Sequence, residues 1–284
     1  MVWGEDRFMN FAIFIISHER ADRVETYDTL RQCGYTGQIF VVIDNEDSML
    51  RKYLARFGDD VLVFDKEVYA ERTDTLETAK LKASAVYARN AVEDFAQMFE
   101  LDAFGLFDDD ITGLRYRWVS DEKICSSVVK NGFDNIVDFY TEFLYNGLAE
   151  VAMPTSPFYM CGSNALDDKV CGARKGYGMH FRNCKYKIDW RSLLNEDLIT
   201  HLSLGKVGSI ILTLPMVCFE TPMTGEFDGG VYTLTQSMSD FRRAFMATVV
   251  MPTNCKPILS KNKFVMSYKK DNSFPMIISS RYKK

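Results

Sequence analysis

The sequence predicts an α/β protein with a mixed, mainly parallel sheet flanked by helices. Three observations predict it. Short continuous apolar runs recur along the front of the chain, amphipathic segments separate them, and three of the runs end in polar residues. A continuous apolar run is the pattern of a strand covered on both faces, and strand–helix alternation implies parallel pairing. Ligands of such sheets bind beyond the carboxyl ends of the strands, so the polar run ends are expected to line one crevice.

Phe11 to Ile16 is the first strand. A helix is predicted from Ala21 to Cys33, with Val24, Tyr27, Leu30 and Arg31 at helical spacing and Gly34 as its stop. Ile39 to Ile43 is the second strand, Ser48 to Phe57 a helix closed by Gly58, and Val61 to Phe64 the third strand. A longer helix from Thr78 to Phe99 leads to the fourth strand, Ala103 to Phe107, which runs straight into Asp108, Asp109 and Asp110. The back half is less regular. Helices are predicted over Ile136 to Leu148, Asn195 to Leu204 and Leu234 to Val250. Pro154 and Pro157 confine the extended stretch Val151 to Met160 to an edge or loop. Pro215 interrupts an apolar strand from Ser209 to Phe219, and late strands are expected at Phe264 to Tyr268 and Met276 to Ser279.

Composition excludes several classes. With 47% hydrophobic and 26% charged residues, the 284-residue chain is neither disordered, collagen-like nor coiled coil. Seven cysteines without a CxxC pair read as reduced thiols in a cytoplasmic setting. Cys161, Cys171, His180 and Cys184 match no compact zinc signature. The apolar stretch from Phe8 to Ile16 is about half the ~20 residues a membrane span needs, so no span is expected. The net charge of -5 hides an asymmetry. Residues 1–168 carry 31 acids and 16 bases, whereas residues 169–284 carry 18 bases and 8 acids. Lys169 to Lys187 is basic and interleaved with aromatics, and the tail from Lys256 is basic again. Such a half fits either an ordinary solvated surface or one that engages phosphates. The basic aromatic stretch, with His180, Arg182 and Lys185, is the candidate nucleic-acid contact, by pairing phosphates and stacking on bases.

Three consecutive aspartates after a buried strand repel one another unless a cation or solvent screens them. In extended backbone Asp108 and Asp110 point the same way and Asp109 the opposite way. Two carboxylates on one side suit Mn2+ or Mg2+, whereas an acidic helix-capping turn is the plainer reading.

These residues resemble GT-A glycosyltransferases, which use nucleotide-diphospho-sugars and carry an Asp-x-Asp motif at the end of a central strand. Asp108-x-Asp110 matches that motif, and Ala88-Arg89-Asn90 matches a triplet often found on the preceding helix. Asp44 matches the acid that contacts the nucleotide, Ser17 and Arg20 match a Ser-x-x-Arg after the first strand, and Glu196-Asp197 resembles the acceptor-side carboxylate pair. The resemblance implies a GT-A, Rossmann-like domain over residues 1–255, with 256–284 as a basic C-terminal extension packed on it. It implies Asp108 and Asp110 as metal ligands for Mn2+ or Mg2+ and a UDP-sugar donor. Donor contacts are expected from Ser17, His18, Arg20, Asp44, Arg89, Asp109, Gly229 and Gly230. Asp197 is the implied base, with Glu196 second. The plainer readings are Asp44 as a turn residue, His18 as a structural histidine, Asp197 as a helix-start carboxylate, and Arg89 as a partner of Glu93 one turn on. Within the fold, the chain is most similar to phage glycosyltransferases associated with DNA base modification. That similarity implies a DNA acceptor carrying a hydroxymethylated pyrimidine; the alternative is a glycan, lipid or protein acceptor. The third metal ligand of many such enzymes is a histidine, and here Glu220 or Asp228 stands in that region.

Overall fold

The computed structural model describes residues 9–76, 85–156, 178–222 and 239–268. Its strands are β1 (Phe11–Ile16), β2 (Ile39–Asp44), β3 (Val61–Phe64), β4 (Ala103–Asp108), β5 (Gly113–Ser120), β6 (Lys123–Val128), β7 (Glu150–Ala152), β8 (Met179–Asn183), β9 (Ile211–Thr213), β10 (Val217–Glu220), β11 (Cys255–Ser260) and β12 (Lys263–Tyr268). Its helices are α1 (Glu25–Gln32), α2 (Leu50–Phe57), α3 (Lys66–Arg72), α4 (Ala85–Met98), α5 (Phe133–Tyr145), α6 (Glu196–Lys206) and α7 (Asp240–Val250). The central sheet has seven strands in the order β3-β2-β1-β4-β8-β7-β9. The first four positions in that order are parallel. β8 runs antiparallel between β4 and β7, and β7 pairs parallel with β9. This is the mixed, mainly parallel α/β sheet that the sequence predicts.

The apolar runs are continuous because both sheet faces are covered. Ile13, Ile15, Val41, Ile43 and Phe107 pack against Leu30 of α1, Tyr53 of α2 and Tyr140 of α5. The alternate residues Phe14, Val42, Phe104 and Leu106 pack against Val86, Ala91 and Val92 of α4 and against Trp190. Each such side chain contributes about 1.5–3 kcal/mol when fully buried. Pro215 separates β9 from β10, and the two strands join different sheets. α3 lies outside the elements predicted from sequence, although its start is marked: Asp65 accepts hydrogen bonds from the backbone N–H groups of Glu67 and Val68.

β8 overturns one expectation. The basic stretch holding His180 and Arg182 is a strand in the middle of the sheet, and both side chains are fully buried. They make no surface contact with DNA; of the three residues expected there, Lys185 is exposed. Arg182 is tolerated inside because two carboxylates neutralise it. Its Nε lies 3.3 Å from Glu93 Oε1 and its Nη1 3.2 Å from Glu150 Oε2. The other oxygen of Glu150 lies 2.8 Å from His180 Nδ1 and 2.6 Å from His201 Nε2. Burial alone would raise the Glu150 carboxyl, but the two histidines hold it well below the usual range. Burial lowers His180. These imidazole-to-carboxylate distances are those of hydrogen bonds, and Arg182 supplies the fixed positive charge.

Gly229, Gly230, Asp228, Cys161, Cys171 and the expected strand at Met276 to Ser279 lie outside the described residues, as does the start of the expected helix from Thr78. Among the described residues, no helix is long and apolar enough to cross a membrane.

Removing Glu150 leaves Arg182 and two imidazole N–H groups without their shared acceptor inside the sheet. Glu150→Ala is expected to destabilise the protein by about 3–5 kcal/mol, measured by urea denaturation. A loss below about 1 kcal/mol would show that the cluster is not an energetic unit.

Candidate active site

The carboxyl ends of β1, β2 and β4 are adjacent, because Ile16 is in register with Asp108 and Ser17 N–H donates to the Val42 carbonyl at 3.1 Å. Ser17, Asp44 and the three aspartates therefore share one mouth, as the polar strand ends predict. The acidic turn is fixed from α1. Thr26 Oγ1 donates to the Asp108 carbonyl at 2.6 Å and accepts from the Ile111 N–H at 2.9 Å, while Thr29 Oγ1 donates to the Ile111 carbonyl at 2.9 Å. Neither threonine is predictable from the sequence, because a threonine in an amphipathic helix carries no mark of its distant partner.

The three carboxylates separate. Asp109 is buried, accepting from Ser17 Oγ at 2.5 Å and from Arg20 Nη1 at 3.1 Å. Burial raises its carboxyl, against the pull of Ser17 and Arg20. Tyr53 completes this side: its hydroxyl lies 2.7 Å from Ser17 Oγ and accepts from the Arg20 N–H at 2.9 Å. Asp108 points the other way, to Arg89, whose Nη2 donates to Oδ1 at 2.9 Å. Gly178 lies on the side of the second oxygen of Asp108. A Cβ there would stand 3.1 Å from Oδ2, and its φ of +63° is one that side chains rarely adopt. Asp110 is the strained member of the three. Burial, then the charges of Asp108 and Asp109, push its carboxyl up to about 7, with Arg20 opposing them only in part.

Arg89 joins Asp108 to the head of α6. It is buried, pairs with Glu196 Oε1 at 3.4 Å, and lies 5.1 Å over the Trp190 ring. It does not pair with Glu93, which accepts instead from Trp190 Nε1 at 3.2 Å. Asn90 holds Trp190 by its backbone, accepting from its N–H at 2.8 Å and donating to its carbonyl at 3.0 Å. The Ala88-Arg89-Asn90 triplet thus docks a tryptophan that nothing in the sequence singles out. Burial raises Glu196, which Arg89 opposes and Asp197 reinforces. Asp197, next in the chain, is half-buried, and its Oδ1 accepts from the Leu198 N–H at 2.7 Å.

His18 and Asp44 form a separate group with Lys66. His18 Nδ1 lies 3.0 Å from Asp44 Oδ2, and Lys66 Nζ lies 3.3 Å from Oδ1. Asp44 raises His18. Burial alone would raise Asp44, but His18 and Lys66 hold it below the usual range. Lys66 is not among the residues expected from the sequence, though its place just after β3 marks it as one more polar strand end. Glu220, the expected stand-in for a third metal ligand, is engaged by Arg115, whose Nε donates to Oε1 at 2.7 Å.

The family model of the TET-associated glycosyltransferases matches residues 11–224. The chain belongs to this family. No curated protein matches its sequence. Among solved structures, this glycosyltransferase is similar to glucosyl-3-phosphoglycerate synthase from Mycobacterium tuberculosis in complex with Mn2+ and UDP-glucose. The TM-score is 0.50 at 9% identity, over 92% of this chain and 86% of that one. It is also similar to the mannosyltransferase PcManGT from Pyrobaculum calidifontis in complex with GDP-Man and Mn2+, with a TM-score of 0.49 at 12% identity over 78% of this chain. The chain spans 59% of the length of that mannosyltransferase. The likeness to the synthase shows the GT-A fold expected from the sequence.

The oxygens at the mouth suit a hard divalent cation. Asp108 keeps one oxygen free of Arg89, Asp110 carries a charge that its surroundings disfavour, and the glycine at 178 sets no side chain against Asp108 Oδ2. The same imbalance sets a pH dependence. Asp110 has a folded value of about 7 against an ordinary 3.8. Between these values the folded protein binds more protons than the unfolded chain, so stability falls as pH rises through the window. In EDTA at pH 8, Asp110→Asn is expected to be more stable than the parent by about 1–2 kcal/mol, with the gap closing toward pH 4. Equal thermal midpoints at pH 8 would show that Asp110 is not strained.

Proposed function

We propose that this glycosyltransferase transfers a sugar, such as glucose or arabinose, from a UDP-sugar to the hydroxyl of a 5-hydroxymethylpyrimidine in DNA. The observation that carries the reading is the Asp108–Asp110 pair at the carboxyl mouth of the sheet, joined through Arg89 to the head of α6. The synthase solved with Mn2+ and UDP-glucose supports the same class of donor. The family's TET association and the resemblance to phage base-modifying transferases support the acceptor.

Asp108 and Asp110 would hold Mn2+ or Mg2+, which when bound neutralises the diphosphate leaving group. The chain's own groups do the rest. Arg89 fixes the Asp108 carboxylate and keeps Glu196 in place, so Glu196 is a positioning residue. Asp197, half-exposed beside it, takes the proton of the acceptor hydroxyl as general base. Ser17, Arg20 and Asp109 hold the floor of the mouth, and His18, Asp44 and Lys66 form its nucleotide-side wall. Gly229 and Gly230 are proposed to bring backbone N–H groups to the diphosphate.

Incubation of the protein with radiolabelled UDP-sugars and hydroxymethylcytosine-containing DNA tests this. The DNA is expected to become labelled, and EDTA to abolish the labelling. Asp110→Asn is expected to lower kcat by about 10²–10³-fold with the fold intact by circular dichroism. Parental turnover in that variant would remove the metal role, and label appearing only in glycans, lipids or proteins would reassign the acceptor. Asp197→Ala is expected to lower kcat by about 10²–10⁴-fold without changing donor affinity. Near-parental rates there would pass the base role to another group.

A further inference from the structure

With His180 and Arg182 buried in the sheet, two of the three residues expected to meet DNA are out of its reach. Residues 1–168 carry 31 acids against 16 bases, so a polyanion is repelled by the part of the chain that builds most of the mouth. The described segment 239–268 is the opposite: five bases (Arg242, Arg243, Lys256, Lys261, Lys263) stand against one acid, Asp240. This segment lies beyond residue 224, where the family match ends.

The segment is a two-layer unit. β11 and β12 form an antiparallel hairpin with Pro257 opposite Met266 and Leu259 opposite Phe264. α7 covers that face, with Ala247, Cys255 and Met266 in one cluster and Phe241 against Phe264 at 5.1 Å between ring centroids. Strand alternation sends Lys256, Ile258, Lys263 and Val265 to the opposite face, and all four are exposed. Lys261 sits exposed at the hairpin tip. On α7, the layer behind that face, Phe241 and Phe245 stack at 5.5 Å, and both are more than 40% exposed. The basic strand face is the surface chemistry that tracks a phosphate backbone, and the exposed rings of the helix layer are of the kind that stack on bases. The unit is also placed for it. Met246 and Ala247 of α7 pack into the cores that hold Trp190 and Leu198, and Asn195, immediately before Glu196, donates to the Arg243 carbonyl at 3.1 Å.

We propose that the α7–β11–β12 unit is the DNA-docking surface of this enzyme, gripping the phosphates of the acceptor through Lys256, Lys261 and Lys263 and delivering the base toward Asp197. The inference rests on the reading of DNA as acceptor. None of the three lysines belongs to the catalytic mouth, so the two are separable.

The test is the triple variant Lys256→Glu, Lys261→Glu, Lys263→Glu in the full chain. Its binding to a duplex oligonucleotide is followed by fluorescence anisotropy across a salt series, beside UDP binding by calorimetry. DNA affinity is expected to fall at least tenfold at low salt. The slope of log affinity against log salt is expected to flatten by about 3, roughly 0.9 for each phosphate that is no longer neutralised. UDP affinity is expected to match the parent. The milder Lys256→Gln, Lys261→Gln, Lys263→Gln variant controls for misfolding and is expected to give an intermediate weakening. If both variants bind DNA with the parental affinity and slope, DNA docks elsewhere and the inference fails, while the acceptor reading stands. If the parent binds no DNA and glycosylates another acceptor, both fall together. A concentration-dependent dimer of the parent in sedimentation, abolished in the variants while DNA binding persists, would make the face a contact between two copies and also overturn it.

Discussion

Concentrated negative charge at the end of β4 is the constraint around which the site is arranged. Three adjacent carboxylates raise one another's proton affinity, and a fold that ends a buried strand on them must disperse that repulsion. Here each meets a different answer. Asp109 is turned inward to Ser17 and Arg20, Asp108 is tied to Arg89, and Asp110 is left with a raised carboxyl that a divalent cation would relieve. The turn is held from outside by Thr26 and Thr29, so the carboxylates do not choose their own geometry.

Arg89 converts that local arrangement into a longer connection. One guanidinium touches Asp108, Glu196 and the face of Trp190. Trp190 is held by Asn90 and donates to Glu93, Glu93 pairs with Arg182, and Arg182 reaches Glu150 and its two histidines. The polar interior behind the mouth is thus one hydrogen-bonded series spanning α4, β7, β8 and α6. Removing one partner from such a series leaves a buried polar group unpaired, which costs far more than losing an exposed contact.

Family membership and geometry agree on a GT-A glycosyltransferase. The family match ends at residue 224, and the helix and hairpin that follow carry a different surface: basic, aromatic and next to the head of α6. In the proposed reading, donor chemistry lies in the sheet and acceptor recognition is appended to it.

The apolar runs at β1, β2, β3 and β4 by themselves determined the parallel half of the sheet, because a strand buried on both faces needs an unbroken hydrophobic stretch wherever it sits. They also determined the crevice, since polar residues that follow adjacent buried strands collect at the carboxyl edge of the sheet. The triple aspartate was readable because its repulsion is local and costly to bury; the Arg89-Asn90 pair was readable only through its resemblance to a triplet of GT-A enzymes. The fate of the basic stretch around His180 and Arg182 was decided only in three dimensions. Its neutralising carboxylates, Glu93 and Glu150, lie far off in sequence, and nothing within the stretch shows that it is buried. The same holds for Thr26, Trp190 and Gly178. Each matters through a partner brought to it by the sheet, and a pairing between distant residues leaves no mark in the spacing of either one.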